Sequence, residues 1–347
     1  MKKILLLILT FIPFSVFGID ISARNAIMMD MDTNRIIYSK NINEQRSIAS
    51  ISKIMTAVLA IESGKMDDVI IIGNEIDKSY GSGIYIKKDE KITLRDLVYG
   101  LMLRSGNDAS LAIANYVDKD NFVKKMNEKA KEIGMLNTVF NNPNGLDEEK
   151  GNYSTAYDMA ILTSYAMKID EYRKIVSTKK YSLKTNMNTY NWTNKNKLLF
   201  NYKYTTGGKT GFTEKANRTL VTTASKDNIN LVVVTLVDPN DFEDHKKLFE
   251  YGFNNYYNVQ ILKKGYLNIH DKIYYKKYNL YIKEDFKYLL NDNDKVYINY
   301  ELSEIPKENI TGKAKVYVNN KIIFSEDIYA ELKKKKKYSF WRKFKIW

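Results

Sequence analysis

Ser50 and Lys53 stand three residues apart in Ile48-Ala49-Ser50-Ile51-Ser52-Lys53-Ile54-Met55-Thr56. On a helix, residues i and i+3 share a face, so the lysine amine lies beside the serine hydroxyl. Such a pair suits covalent catalysis: the hydroxyl attacks a carbonyl carbon and an uncharged amine takes its proton. A lysine serves as a base only when neutral, a state that burial or a second cation favours. The four-residue pattern is weak alone, because Ser177-Thr178-Lys179-Lys180 repeats it. Two later groups separate the copies: Ser105-Gly106-Asn107 and Lys209-Thr210-Gly211 follow Ser50 in order, and no Ser–x–Asn lies between Ser177 and Lys209.

Each of these residues has a use in acyl transfer. Lys209 can supply the second cation, and Ser105 can relay a proton between Ser50 or Lys53 and a leaving amine. Asn107 can hydrogen-bond a substrate peptide group. The stretch Lys209-Thr210-Gly211-Phe212-Thr213 reads as an edge strand against which an extended peptide can pair, and Gly211 permits close backbone approach. The N–H groups of Ser50 and Phe212 can form an oxyanion hole, worth roughly 3–4 kcal/mol per donor. Taken singly, Ser50 is as well explained as an N-cap, Asn107 as a turn residue and Lys209 as a solvated strand charge. The ordered set favours chemistry.

The elements that must hold them are legible from pattern. Ala26–Asp30 and Arg35–Tyr38 flank Asp32-Thr33-Asn34 as a hairpin. Helices are expected at Ile54–Ile61, at Thr93–Met102 with Thr93 as N-cap, at Asn121–Ile133, at Ala156–Met167 and at Asp244–Phe253. Leu220–Ala224 and Asn230–Val237 read as adjacent strands. Strands at both ends with helices between predict an α+β domain with a mainly antiparallel sheet over about residues 19–255. From about Asn258 short strand-like runs take over: Lys272–Tyr275, Asn279–Ile282, Val296–Tyr300, and Lys315–Val318 joined through Asn319-Asn320 to Ile322–Phe324. They predict a small all-β domain over 256–330.

The chain has 347 residues, no cysteine and two histidines, His245 and His270. Thiol nucleophiles and disulfides are excluded, and neither a metal site nor a cofactor is expected. The net charge of +14 is concentrated at the ends. Lys2 and Lys3 together with residues 333–347 hold ten of the 55 basic residues and none of the 41 acidic ones, leaving +4 on the body. So nearly balanced a body argues against a nucleic-acid binder, which should show a basic face of its own. Residues 1–18 read as a secretory signal peptide, with Lys2-Lys3 before an apolar run and Val16 and Gly18 at the cleavage positions. In the basic tail over 331–347, Phe340, Trp341, Phe344 and Trp347 form one stripe on a helix, a pattern suited to lying on an anionic membrane surface.

With these residues in hand, the chain resembles the serine-type D-Ala-D-Ala carboxypeptidases, the low-molecular-mass penicillin-binding proteins, from about Asn25 to Phe253. Ser–x–x–Lys, Ser–x–Asn and Lys–Thr–Gly in this order are that family's motif set. Leu101-Met-Leu-Arg-Ser105-Gly-Asn-Asp108-Ala109, Asn142-Pro-Asn-Gly145-Leu146, Tyr153-Ser-Thr-Ala156-Tyr-Asp158 and Asn194-Lys-Asn196-Lys-Leu-Leu199 are similar as well. The resemblance implies a penicillin-binding/β-lactamase-like catalytic domain, then the β domain and the amphipathic tail at the outer face of the cell membrane. It implies that Ser50 is acylated by peptidoglycan stem peptides ending in D-Ala-D-Ala, with β-lactams as covalent inhibitors. One departure matters: Val237-Asp-Pro-Asn-Asp-Phe-Glu-Asp244 lacks the arginine with which the family usually binds the substrate's terminal carboxylate. Thr210, Thr213, Lys209 and Arg218 are the groups available instead. An endopeptidase cutting D-Ala cross-links and a catalytically silent wall-binding protein remain alternatives. A β-lactamase fits less well, because Glu132-Ile-Gly-Met-Leu136-Asn137 is one residue too long for the deacylating motif.

Overall fold

The computed structural model describes residues 19–147, 150–269, 275–304 and 309–333. They fall into two compact units, divided between Asn254 and Asn255. The signal sequence and the helical stripe of the tail lie outside the described residues. Among the described residues no helix is long and apolar enough to cross a membrane.

The first unit is built on a five-stranded, fully antiparallel sheet. Its strands are β1 (Asn25–Asp30), β2 (Ile36–Lys40), β9 (Thr205–Thr213), β10 (Asn217–Lys226) and β11 (Ile229–Leu236), in the order β2-β1-β11-β10-β9. Three short ladders lie outside it: β3 (Arg46–Ser47) with β6 (Tyr153–Ser154), β4 (Val69–Ile71) with β5 (Lys91–Thr93), and β7 (Lys180–Lys184) with β8 (Thr189–Thr193). The expected hairpin β1–β2 forms, and β10 and β11, expected as adjacent strands, pair directly. The buried run Val232-Val233-Val234 serves both faces of a central strand, as a two-sided sheet requires.

Register decides which residues face which layer. Ile27, Val234, Val221 and Lys209 lie opposite one another across four strands and so share a face. That face packs on α1 (Lys53–Glu62), α2 (Leu94–Arg104), α3 (Asn107–Asp118), α4 (Phe122–Glu132), α5 (Ala156–Ala166) and α6 (Asp170–Ser177) through one core cluster. After the short α7 (Leu198–Asn201), α8 (Asp241–Asn255) covers the other face, where Gly252 closes on Leu231 and Met28. The caps agree with the composition: the hydroxyls of Thr93 and Thr155 accept from the N–H of Asp96 and Asp158 at 3.0 Å each. α3 and α6 were not among the helices expected from the sequence.

His245 of α8 sits between the Thr222 and Thr235 hydroxyls at 2.5 and 2.9 Å. Burial pushes its pKa down to about 3, so it is neutral and structural. The folded state therefore binds fewer protons than the unfolded chain between about pH 6.5 and 3, and stability falls as pH drops through that window. Thermal melts should show this acid loss, and His245→Gln should flatten it.

The second unit holds a two-stranded ladder of β12 (Tyr257–Leu262) with β15 (Phe286–Leu290). Its five-stranded sheet runs in the order β13 (Gly265–Tyr266), β14 (Tyr278–Ile282), β18 (Lys321–Leu332), β17 (Asn309–Val318), β16 (Val296–Leu302). Its core gathers Leu262, Tyr275, Leu280, Ile282, Ala314, Val316 and Ile328. The strand expected at 272–275 falls mostly outside the described residues, and Tyr275 itself lies in no strand. β18 reaches Leu332, two residues into the expected tail.

Candidate active site

Ser50 lies in a tight 3-10 turn, Ala49–Ser52, that runs directly into α1. Ala49 adopts the left-handed region at φ +49°, unusual for a residue with a Cβ and a mark of a locally over-determined backbone. Gly145 holds that turn down. Its φ is +82°, and a Cβ there would stand 2.1 Å from the Ala49 carbonyl oxygen and 2.5 Å from Ser52 Oγ. Gly145→Ala should therefore cost at least about 2 kcal/mol, with slower acylation of Ser50; an unchanged melting temperature and unchanged labelling would refute this reading of the turn. Ser52, in turn, donates to the Ala49 carbonyl at 2.7 Å.

Lys53, the first residue of α1, is fully buried. Its Nζ lies 3.0 Å from Ser50 Oγ and 2.7 Å from Asn107 Oδ1, and also donates to the Asn144 carbonyl. Burial lowers its pKa to about 7, aided by the field of Lys195 and opposed by Asp108. A neutral amine has two N–H bonds and one lone pair. Asn107 Oδ1 and the Asn144 carbonyl can only accept, so they take the two N–H bonds. The lone pair is left facing Ser50, the one neighbour able to donate. Asn107 is thus turned to the base rather than outward, its Nδ2 donating to the Tyr80 carbonyl at 2.6 Å. Asn107→Asp would place a carboxylate against Nζ, favour the ammonium form and move the alkaline rise of the acylation rate above pH 7; a pH–rate profile of penicillin labelling reads the shift.

Ser105 closes α2 in the left-handed region, φ +65°. Its Oγ receives a hydrogen bond from Lys209 Nζ at 3.0 Å, and the same amine donates to the Thr210 carbonyl at 2.6 Å. Lys209 reaches inward because register puts it on the helical face of β9; only 1% of it is exposed, and burial followed by Lys53 and Lys195 pushes its pKa well down. The cation acting on Lys53 is Lys195, where Lys209 was expected. Lys195 itself donates to Ser82 Oγ at 3.1 Å.

β9 is an edge strand of the sheet, as expected of Lys209-Thr210-Gly211. A Cβ on Gly211 would meet Thr219 Oγ1 and approach the Ser50 backbone nitrogen to 3.0 Å, so the missing side chain keeps the Ser50 N–H open. The Ser50 N–H lies in the first turn, where no intrahelical partner exists. Ser50, Ser105, Thr210, Gly211, Phe212 and Arg218 line one cleft of about 360 Å3, with Lys195, Lys197 and Asp241 at its margin. Thr213 is turned away, donating to Asp147, which also accepts from Ser47 at 2.6 Å. Asp108, missed from the sequence although it follows Asn107, ties the segment just after Ser82 to α3. It accepts from the N–H groups of Ile84 and Tyr85 at 3.0 and 2.6 Å.

A serine hydroxyl held against a buried lysine amine beside an edge strand is the arrangement of a serine hydrolase. The profile of the D-alanyl-D-alanine carboxypeptidase family, peptidase S11, matches residues 13–240, and the chain belongs to that family. It is 35% identical over 254 residues to D-alanyl-D-alanine carboxypeptidase DacF of Bacillus subtilis, covering 70% of this chain and 65% of that one. It is 31% identical to DacD of Escherichia coli, covering 73% and 69%. Among solved structures, penicillin-binding protein 5 of Haemophilus influenzae superposes with a TM-score of 0.77 at 27% identity, covering 91% of this chain and 98% of that one. The K15 DD-transpeptidase of Streptomyces, as its R248L mutant, covers 68% and 99% with a TM-score of 0.65 at 31% identity. The chain spans just under two thirds of the B. subtilis relative.

Proposed function

We propose that this chain is a D-Ala-D-Ala carboxypeptidase acting on peptidoglycan stem peptides through a Ser50 acyl-enzyme. The observation that carries this reading is the Lys53 amine, buried, with its pKa lowered to about 7, and 3.0 Å from Ser50 Oγ. Lys53 takes the proton of Ser50 Oγ as the oxygen bonds to the carbonyl carbon of the penultimate D-Ala. The N–H groups of Ser50 and Phe212 receive the oxyanion. Collapse breaks the C–N bond, and the proton held by Lys53 passes through Ser105 Oγ to the departing amine of the terminal D-Ala. Water then attacks the ester, giving its proton to Lys53, which returns one to Ser50. β-Lactams enter the same cycle and stall at the ester.

The terminal carboxylate is received by Arg218. Its Nη2 contacts both carboxylate oxygens of Asp241, at 2.7 and 2.8 Å. Arg218 lines the cleft, and 45% of its side chain is exposed. Asp241 holds the guanidinium in place, while Lys195 and Lys197 add positive potential. The reading also places the chain outside the cytoplasm, exported by residues 1–18 and resting on the membrane through 333–347. Labelled penicillin tests it: an adduct at Ser50, absent in Ser50→Ala, is expected, together with release of D-Ala from a D-Ala-D-Ala pentapeptide faster than cleavage of cross-linked muropeptides. Faster cross-link cleavage would make it an endopeptidase, and no adduct would leave a silent wall-binding protein.

A further inference from the structure

A second cavity, of about 680 Å3, opens where β9 starts and β10 ends, beneath the C-terminal end of α5 and beside α6. From Thr206 at its wall to Thr210 in the catalytic cleft is about 13 Å along the strand, at roughly 3.3 Å per residue. Its size falls within the range of about 300–1,000 Å3 typical of small-ligand sites.

Two independent features make it more than a gap. First, Ser164 on α5 is 3% exposed, and its hydroxyl has no hydrogen-bond partner; Thr205 Oγ1, on the same cavity wall, is likewise buried and unpaired. Buried hydroxyls left unpaired cost about 1–3 kcal/mol each, and folded interiors seldom leave two at one spot. Second, Lys168, Arg173 and Lys174 line the cavity together with the carboxylate of Asp32; with Arg173 paired to Asp170, the two lysines stand against that one carboxylate. Arg173 is held in place by Nη1 donating to the Met167 carbonyl at 2.7 Å and by its ion pair with Asp170. Asp32 is already engaged, accepting from Asn230 Nδ2 at 2.9 Å. The wall thus offers hydroxyls that both donate and accept, under a rim that attracts an anion.

We propose that this cavity is a second binding site, for an anionic, polyhydroxylated ligand the size of a mono- or disaccharide. Ser164 and Thr205 pair with ligand hydroxyls, while Lys168, Arg173 and Lys174 receive a carboxylate or phosphate. The inference does not depend on the reaction at Ser50. The full chain carrying Ser50→Ala, which cannot turn over, is titrated calorimetrically with N-acetylmuramic acid, with its disaccharide with N-acetylglucosamine, and with glycerol phosphate. Saturable binding by at least one probe is expected. It should weaken tenfold or more in Lys168→Glu/Lys174→Glu, whose exposed positions spare the fold, and in Ser164→Val, and stay unchanged in Arg218→Leu. Preference for the sugar acids would assign the anion to a carboxylate, and preference for glycerol phosphate to a phosphate. Absence of saturable binding at millimolar concentrations, or binding lost in Arg218→Leu but kept in the double reversal, overturns the proposal.

Discussion

Replacing Lys53 by alanine should slow acylation of Ser50 by labelled penicillin about 10³-fold or more. General bases contribute roughly 10²–10⁴-fold, and here the lost base is also the group that orients the nucleophile. The folded chain should keep its shape, since removing a buried amine relieves a desolvation cost while leaving Asn107 Oδ1 and the Asn144 carbonyl without their donor. The unaltered protein should show an acylation rate that rises with pH through about 7 and then levels. Below that value Lys53 is an ammonium, donates to Ser50 and cannot accept; above it the amine is neutral and its lone pair meets the hydroxyl. A stopped-flow profile of labelling against pH measures this directly. A flat profile between pH 6 and 9, or a Lys53→Ala rate within tenfold of the original, would remove lysine from the role of base.

The second large effect is expected at Arg218. Arg218→Leu should lower kcat/KM for a pentapeptide with a free terminal carboxylate by roughly 10- to 10²-fold, the equivalent of a charge-assisted hydrogen bond of about 1.5–3 kcal/mol. The same peptide with its terminal carboxyl amidated should be hydrolysed equally by both proteins, because the lost donor has nothing to contact. Asp241→Asn should act in the same direction but more weakly, by loosening the guanidinium rather than removing it. Equal losses on the free and amidated peptides would mean that Arg218 shapes the cleft without reading the carboxylate.

Register explains why this arginine stands where it does. Arg218 lies opposite Phe212 and on the face of β10 that meets α8, one residue out of phase with Thr219 and Val221, which face the helices. The first turn of α8 carries Asp241, Glu243 and Asp244, and Asp241 takes the guanidinium. The stretch that lacks an arginine therefore supplies the carboxylate that holds one offered by the neighbouring strand.

Much of this was determined by the sequence alone. The order of Ser50, Lys53, Ser105, Asn107 and Lys209 pointed to the chemistry, because three motifs that are each ordinary alone follow one another in that sequence only once. The α+β domain, its sheet hairpins and the capped helices were legible, because Val, Ile, Thr and Asp report local backbone preference directly. Only tertiary structure decided what those residues do to one another. The lowered pKa of Lys53 arises from burial and from Lys195, 142 positions away in the chain, and no local pattern encodes such a distance. That Asn107 also holds the base is visible only once Lys53 and Tyr80 are seen at the two ends of its amide. Gly145 is one glycine among 16 until the Ala49 carbonyl is seen beneath it. Residue type sets which groups can react. Their protonation, orientation and partners depend on contacts between segments far apart in the chain, and those come into being only when the sheet and helices close around them.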